Sequence, residues 1–296
     1  MTGFVFLNKA EGMTSFFAAS RLRRVFSMKK IGHTGTLDPL ATGVLPVALG
    51  GATRFIELIA NHDKSYRATF LLGKTTDTLD ITGKVLSEKE VGVTRGDVEN
   101  ALSFFRGSIK QLPPMYSAIK KDGVRLYDLA RQGIEIEREE RDVTIYSLEL
   151  IKADEEKHEY TIDVSCSSGT YIRSLISDIG EKLLCGAVMT SLIRTNANGI
   201  DLEKCRSLEK LQEMKEEGTL ELAVVPVWEF IKYPEISVSE SQAKRFKNGG
   251  ELFLDRVKGL SDSVFYNVFS PDGKFLGIGE KDESEGLLKV KRVYVE

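Results

Sequence analysis

The sequence predicts an α+β fold with a mixed, mostly antiparallel sheet and a small β-rich unit at its C-terminal end. Strand-like and helix-like segments follow one another without the regular strand–helix–strand rhythm of parallel-sheet proteins, and neither a Gly-x-Gly-x-x-Gly nor a Walker motif occurs. After Tyr233-Pro234 the composition changes to short strand-like runs with a hairpin turn at Ser270-Pro271-Asp272-Gly273. We therefore expect a larger domain at residues 1–232 and a small domain at residues 233–296.

The elements of the larger domain are predicted from hydrophobic periodicity. Residues 4–7 are typical of a buried strand, and Thr14 supplies N-cap chemistry for a following helix. Residues 64–73 alternate apolar and polar side chains, which predicts a strand with one face in the core. Thr94 begins a helix that Gly107 ends. Further strands are predicted at 44–49, 143–151, 160–166 and 187–194, and further helices at 54–60, 124–132, 172–183, 208–216 and 239–247.

Composition excludes several classes of protein. The chain has 296 residues, of which 42% are hydrophobic and 29% charged, as in ordinary globular proteins. No window approaches the roughly eighteen apolar residues that span a bilayer, and the N-terminus lacks a signal-peptide pattern. Cys166, Cys185 and Cys205 are too far apart for a disulfide framework or a zinc site. We expect a cytoplasmic protein without a metal or cofactor.

The cations are concentrated in two regions, although the net charge is −3. Residues 12–37 contain no acidic residue, and a second basic region lies between Ser108 and Arg131. Such patches favour a polyanion bound at one face, while solvated helix faces explain the charges equally well. The cations of the first region are Arg21, Arg23, Arg24, Lys29 and Lys30.

The loop at residues 29–43 is the most unusual stretch. Its glycines provide backbone conformations that other residues avoid, and Pro39 restricts Asp38 to extended geometry. Asp38 is the only acid of the loop and is therefore a candidate chemical group. An aspartate that caps a turn is the alternative, and the loop alone favours it.

Several motifs of the chain are distinctive when they are taken together, namely Gly12-Met13-Thr14-Ser15, Gly32 to Gly43, Gly50-Gly51-Ala52-Thr53, Tyr66, Thr76-Asp77-Thr78, Pro113 to Ala118 with Leu126-Tyr127, Cys166 to Arg173 and Gly186 to Arg194. They resemble those of the bacterial TruB-type tRNA pseudouridine synthases. The resemblance covers the whole chain and includes a C-terminal unit similar to the family's PUA-like RNA-binding domain. At two positions the chain departs from the family, with Ala10 in place of the usual proline and Ser168 in place of the usual lysine. Neither departure touches the expected chemistry.

The resemblance implies that the protein isomerises uridine to pseudouridine at position 55, in the T loop of tRNA, by base flipping. It assigns the essential aspartate to Asp38 and its cationic partner to Arg173, whose planar guanidinium can fix a carboxylate. The alternative role for Arg173 is to stabilise the fold alone. The alternative for Tyr66, Tyr171 and Leu192 is packing in the core. The other substrate-binding positions that the family implies are His33, Tyr66, Tyr171 and Leu192.

A basic arm at about residues 109–140 resembles the family's insertion that closes over the T loop. Its tandem prolines exclude a helix at its start. We expect a monomer that binds the T stem-loop of tRNA and no membrane. The alternatives are a non-catalytic tRNA-binding or tRNA-folding protein with this fold, and a synthase of the same family for another RNA. The RNA-contacting cations of the arm are expected to be Lys120, Lys121, Arg125 and Arg131.

Overall fold

The computed structural model describes residues 1–121 and 123–295, so Asp122 of the predicted arm and Glu296 of the predicted small domain lie outside the described residues. The strands, in chain order, are β1 (Gly3–Lys9), β2 (Ile31–His33), β3 (Thr42–Leu49), β4 (Lys64–Leu72), β5 (Lys74–Thr76), β6 (Val85–Glu88), β7 (Gly107–Gln111), β8 (Lys120–Lys121), β9 (Val124–Arg125), β10 (Arg141–Asp154), β11 (Glu159–Cys166), β12 (Ala187–Ala197), β13 (Ile200–Asp201), β14 (Glu235–Ser237), β15 (Leu252–Phe253), β16 (Phe265–Phe269), β17 (Phe275–Asp282) and β18 (Leu287–Val293). The helices are α1 (Ser15–Val25), α2 (Arg95–Ser103), α3 (Leu126–Ala130), α4 (Ile172–Lys182), α5 (Leu208–Glu216), α6 (Val227–Phe230) and α7 (Glu240–Lys247).

The large sheet has the strand order β1-β3-β12-β4-β11-β10-β7, with β2 added to β3 and β13 added to β12. Strands β3 and β12 pair in parallel, whereas the other neighbours pair antiparallel. The predicted α+β fold with a mostly antiparallel sheet is therefore confirmed. The parallel pair aligns Gly43 with Arg194, and Gly43 has a φ of +103°. A β-carbon there would overlap the Arg194 carbonyl, so this junction requires glycine.

Local sequence patterns explain most of these elements. The alternation over β4 buries Tyr66, Ala68 and Phe70 on one face, as predicted. The predicted helix at 54–60 is wrong in type and extent, because Gly50, at a φ of +58°, turns the chain directly from β3 into a 3-10 helix at Gly50–Leu58. The helix predicted at 124–132 is reduced to α3, because the two preceding residues pair with β8 as a hairpin.

The C-terminal part of the chain forms a second sheet in the order β14-β16-β17-β18-β15, which confirms a β-rich unit there. Its own core includes Phe246 and Tyr266. A separate apolar cluster joins it to the large sheet, with Phe4 and Phe55 on one side and Phe275 on the other. The domain boundary after residue 232 stays a prediction. No helix in the two described ranges is long and apolar enough to cross a membrane.

Candidate active site

Hydrogen bonds to the main chain hold the loop around Asp38 on both sides of that residue. The Ser15 hydroxyl accepts from the Leu37 amide at 2.7 Å and donates to the Leu37 carbonyl at 3.0 Å. The Gly12 amide donates to the Pro39 carbonyl at 2.9 Å. The backbone before and after Asp38 is therefore fixed by the segment that begins helix α1.

A buried lysine that sequence reasoning did not assign to the site stabilises the same loop. The Lys9 ammonium donates to the carbonyls of Met13 at 2.8 Å, Ala10 at 2.9 Å and Pro39 at 3.5 Å. Burial lowers the pKa of Lys9 to about 8, while the nearby Asp38 carboxylate opposes this shift. Lys9 thus combines main-chain contacts with an attraction to Asp38.

Arg194 supports the loop from the opposite direction. Its side chain is buried, and its Nε donates to the Val44 carbonyl at 2.7 Å. Its two terminal nitrogens donate to the carbonyls of Thr36 and Gly35, each at 3.3 Å. The sequence pointed to Arg194 only as the end of a family motif. A single arginine at the end of a mostly apolar strand is the signal that could have identified it.

Asp38 and Arg173 meet although they are far apart in sequence. Arg173 Nε lies 2.9 Å from Asp38 Oδ2, and the two side chains are 6% and 36% exposed, respectively. The two terminal nitrogens of Arg173 donate to the carbonyls of Thr78 at 2.9 Å and Tyr116 at 2.8 Å. These contacts fix the guanidinium plane, so that Nε is the group directed at the carboxylate. The predicted contact is present, while the catalytic role of Asp38 stays a prediction.

A second carboxylate lies beside this pair and was not predicted. Asp80 Oδ2 is 3.9 Å from Arg173 Nε. Asp80 Oδ1 accepts from the Thr78 hydroxyl at 2.9 Å and from the amide and hydroxyl of Thr82 at 3.0 and 2.5 Å. The polar, turn-forming segment at residues 75–83 was the sequence signal. Asp80 thus links this turn electrostatically to the side chain that contacts Asp38.

Tyr66 and His33 lie close to Arg194. Tyr66 is buried on β4 and is paired with Arg194 in the sheet register. Burial raises the pKa of Tyr66 to about 12, so its hydroxyl stays protonated near neutral pH. Burial and the Arg194 charge lower the pKa of half-buried His33, which favours the neutral imidazole. The buried His33 Nδ1 has no hydrogen-bond partner among the described residues.

Tyr171 and Leu192 occupy neighbouring elements of the same region. The Gln111 side chain accepts from the Tyr171 amide at 2.7 Å and donates to the Tyr171 carbonyl at 3.0 Å, which positions Tyr171 at the start of α4. Burial raises the pKa of Tyr171, and the charge of Asp38 contributes to the increase. Leu192 is buried two residues before Arg194 on β12. The structure therefore brings the predicted pocket positions to one part of the sheet.

The four predicted arm cations lie apart from this cluster. Lys120, Lys121, Arg125 and Arg131 are all exposed. The guanidinium carbons of Arg125 and Arg131 lie 5.7 and 5.5 Å from the centre of the Tyr127 ring. The Lys121 ammonium donates to a main-chain carbonyl at 2.9 Å. The arm thus presents its charges to solvent, and two of them lie beside one aromatic ring.

The beginning of the arm is attached to the first turn of α4. Its Tyr116 carbonyl accepts from Arg173, and the Ser174 hydroxyl donates to the Leu112 carbonyl at 2.9 Å. Arg138, near the end of the arm, donates to the Pro113 carbonyl at 3.0 Å. Arg173 therefore contacts both the candidate catalytic carboxylate and the start of the arm.

Within residues 1–121 and 123–295, no group of three or more His, Cys, Asp or Glu side chains could hold a metal ion. The chemical resources of the pocket are instead a carboxylate held by a buried guanidinium, a protonated phenol and an imidazole whose neutral form is favoured. Such a site suits a reaction in which one carboxylate acts as a nucleophile or base and buried cations position it.

Sequence models of protein families match almost the whole chain. The TruB family pseudouridylate synthase N-terminal domain matches residues 23–172. The tRNA pseudouridylate synthase B C-terminal domain matches residues 173–230, and the pseudouridine synthase II TruB C-terminal domain matches residues 234–294.

Curated relatives and a solved structure show the same similarity. A tRNA pseudouridine synthase B of Clostridium perfringens (strain 13) is 44% identical over 100% of both chains. A protein of the same name from Pseudomonas fluorescens is 42% identical over 99% of this chain and 95% of its own length. A chain from a crystal structure of a Cbf5-Nop10-Gar1 complex superposes with a TM-score of 0.76 and 25% identity, covering 99% of this chain and 85% of that chain. The pseudouridine synthase-like fold expected from the sequence is thereby confirmed.

Proposed function

This chain belongs to the TruB family of pseudouridine synthases, and we propose that it acts on the uridine at position 55, in the T loop of tRNA. It is an isomerase that converts uridine to pseudouridine in tRNA. The position in the T loop and the roles of individual residues are our proposal.

The reaction rearranges one nucleotide without gain or loss of atoms. The bond from the ribose C1′ to the uracil N1 breaks, the base rotates, and a new bond joins C1′ to C5, whose proton moves to N1. No oxidant, reductant or phosphate donor enters this balance. The uridine must leave its stack to reach the partly exposed carboxylate of Asp38, which requires base flipping.

The contact between Asp38 and Arg173 is the observation that carries the proposal. The carboxylate lies in a loop fixed on both sides, and the guanidinium that holds it makes two further hydrogen bonds to the main chain. Asp38 is still 36% exposed, so a flipped nucleotide can approach it. We assign to Asp38 the step at the nucleotide and to Arg173 the orientation of its carboxylate.

The remaining pocket residues receive binding roles. Tyr66 stacks on the flipped uracil as a protonated phenol, because its raised pKa disfavours a tyrosinate that would act as a base. His33 stacks in its neutral form beside the nucleotide. Tyr171 and Leu192 form the wall of the pocket.

The arm and the C-terminal unit are assigned to RNA binding. The exposed cations around Tyr127 match a phosphate backbone with a splayed base, and attachment at Tyr116 couples the arm to Arg173. Residues 233–296 form a PUA-like RNA-binding domain in this proposal, and the enzyme works as a monomer on the T stem-loop.

Mapping of pseudouridine in an unmodified tRNA transcript tests the proposal. The purified protein should produce a single carbodiimide-reactive site at position 55, and a transcript with cytidine at that position should remain unreacted. Product at another uridine would reject the T-loop assignment. Tight binding without any product would instead support the non-catalytic alternative, and product only in an RNA other than tRNA would support the other-RNA alternative.

A further inference from the structure

Helix α1 presents an aromatic and basic surface that the proposed active site does not use. Phe16 is 68% exposed and Phe17 is 50% exposed, although they are adjacent large apolar side chains. The opposite side of the helix is buried in the core through Ala18 and Leu22. The helix is therefore fixed to the protein, and its two phenylalanines face solvent.

Arginines accompany both rings. The Arg21 guanidinium carbon lies 5.6 Å from the centre of the Phe17 ring, and that of Arg23 lies 5.7 Å from the centre of the Phe16 ring. Arg24 is exposed one residue further along. We call Phe16, Phe17, Arg21, Arg23 and Arg24 the α1 face. Since residues 12–37 contain no acidic residue, this segment does not neutralise the charge of the face itself.

The neighbouring helix α5 adds a cation beside this face, and two of its three carboxylates make contacts within the helix. Lys215 of α5 donates to the Arg24 carbonyl at 2.8 Å, which adds a cation at this end of the α1 face. Of the acidic residues on α5, Glu213 pairs with Lys210 at 3.0 Å, and Glu216 accepts from a glutamine of its own helix at 2.9 Å. These two carboxylates are thus occupied within α5.

The α1 face begins next to the candidate active site. Ser15, which immediately precedes Phe16, makes both hydrogen bonds to Leu37, the neighbour of Asp38. An RNA whose nucleotide reaches Asp38 therefore passes close to the first turn of α1. The α1 face differs in this respect from other exposed aromatic positions, such as Phe104, which follows α2 and lies beside Lys182 of α4.

We propose that the α1 face binds unstacked bases of the tRNA substrate outside the uridine pocket, with stacking on Phe16 and Phe17 and phosphate contacts to Arg21 and Arg24. This inference depends on the proposed function, because it names a second contact of the same substrate. Aromatic rings beside arginines form the usual platform for single-stranded nucleic acid, since every base has a face that can stack.

Charge and geometry argue against a second copy of this chain and against a membrane surface as the partner of the α1 face. A second copy of this chain would bring the same cations opposite one another in a two-fold contact, which is unfavourable. A membrane surface requires a helix whose apolar face is free to insert, whereas the apolar side of α1 is buried in the core. A polyanion with planar, stackable groups satisfies both the rings and the arginines.

Equilibrium binding of a full-length unmodified tRNA transcript tests the inference. The Phe16→Ala/Phe17→Ala variant should bind the transcript more weakly by about thirty-fold or more, the loss expected when two bases no longer stack on aromatic rings. Phe16→Leu/Phe17→Leu should lose nearly as much, because leucine keeps the apolar volume but not the aromatic face. Phe16→Tyr/Phe17→Tyr should bind like the wild type. Arg21→Gln/Arg24→Gln should lower the slope of log Kd against log salt by roughly 0.7 to 0.9 for each phosphate that is no longer neutralised.

Phe104→Ala is the matched control, since Phe104 is 63% exposed and lies 3.8 Å from a lysine ammonium, but on another part of the surface. It should bind tRNA with wild-type affinity. The inference is overturned if the double alanine variant (the alanine pair) binds tRNA with wild-type affinity and its thermal unfolding is unchanged. It is also overturned if the double leucine variant binds tRNA with full affinity. A wild-type dimer in light scattering that the alanine pair converts to monomers also overturns it.

Pseudouridine formation by the wild type is measured in the same series. If the wild type makes no pseudouridine, the proposed function has failed. If it makes pseudouridine and the alanine pair binds normally, only the role of the α1 face has failed.

Discussion

The Asp38 loop and the arm use positive charge in opposite ways. Around Asp38, the cations Lys9, Arg173 and Arg194 are buried and donate to main-chain carbonyls. In the arm, all four assigned cations are exposed, and two of them surround one tyrosine ring. This difference supports the proposal that one part of the molecule positions a chemical group while the other attracts a polyanion.

The energetic consequences of this difference can be ordered. A buried charge that loses its partner remains desolvated, which costs roughly 3–5 kcal/mol, whereas an exposed ion pair contributes about 0–1 kcal/mol. Exposed charges act instead through counterion release, so their effect depends on salt. Substitutions at the loop should therefore change chemistry and stability, and substitutions in the arm should change the salt dependence of tRNA binding.

The largest effect is expected at Asp38 itself. Asp38→Asn keeps the size of the side chain but removes the carboxylate, so pseudouridine formation should fall on the order of 10⁴-fold or more while tRNA binding changes little. Single-turnover assays with excess enzyme measure the chemical step directly. A variant that makes pseudouridine at nearly the wild-type rate would remove Asp38 from the mechanism.

The next effect concerns the partner of Asp38. Arg173→Ala should lower the free energy of unfolding by about 3–5 kcal/mol, because two carboxylates and two carbonyls lose a buried donor. Arg173→Lys should recover only part of this loss, since an ammonium cannot reproduce the planar donor arrangement. Urea unfolding provides the measurement.

An exposed pair supplies the control for Arg173. Arg67 contacts Asp163 at 2.7 Å, with side chains that are 49% and 38% exposed, and Arg67→Ala should cost only about 0–1 kcal/mol. A double-mutant cycle between Asp38→Ala and Arg173→Ala should show clear coupling. If Arg67→Ala and Arg173→Ala lower the free energy of unfolding equally, and if the double-mutant cycle shows zero coupling, the contrast between buried and exposed cations is contradicted.

Substitutions in the arm should change the salt dependence of tRNA binding. Replacement of all four cations by alanine should weaken tRNA binding and reduce the slope of log Kd against log salt by roughly 0.7 to 0.9 for each phosphate that the arm no longer neutralises. The catalytic step with bound tRNA should remain near the wild-type rate. An unchanged slope would mean that these charges only face solvent. The four positions are Lys120, Lys121, Arg125 and Arg131.

A further effect is a pH dependence of stability that arises from Lys9. The folded protein releases the Lys9 proton near pH 8, whereas the unfolded chain holds it up to the ordinary pKa of 10.5. The unfolded state therefore binds more protons between these values, so the Lys9 contribution to stability rises with pH in that window. The stability of the wild type relative to Lys9→Met should accordingly increase from pH 8 to pH 10.5.

Urea unfolding at several pH values in this window measures the Lys9 effect, and other titrating groups cancel in the difference. Lys29→Met, at an exposed position, is the control substitution. If the free energy of unfolding of the wild type relative to Lys9→Met falls with rising pH, Lys9 is not held in a desolvated position.

The sequence alone determined the fold class and the position of the unusual loop. Alternation over β4 and the helical stripe of α4 are local patterns, and they are reliable because one face of each element must be buried. The glycines and Pro39 identify the segment around Asp38 for an equally local reason. The partnership with Arg173 came from the family resemblance, because no local pattern relates residues so far apart.

Only the tertiary structure decided which charges surround Asp38. Lys9, Asp80 and Arg194 were not predicted, because each acts through contacts with segments distant in the chain or through its burial. Periodicity identifies which face of a strand is buried, but not which main-chain carbonyls a buried cation will meet there. For Arg194, the set of carbonyls that it contacts depends on the parallel junction between β3 and β12, where Gly43 leaves room for the main chain of Arg194.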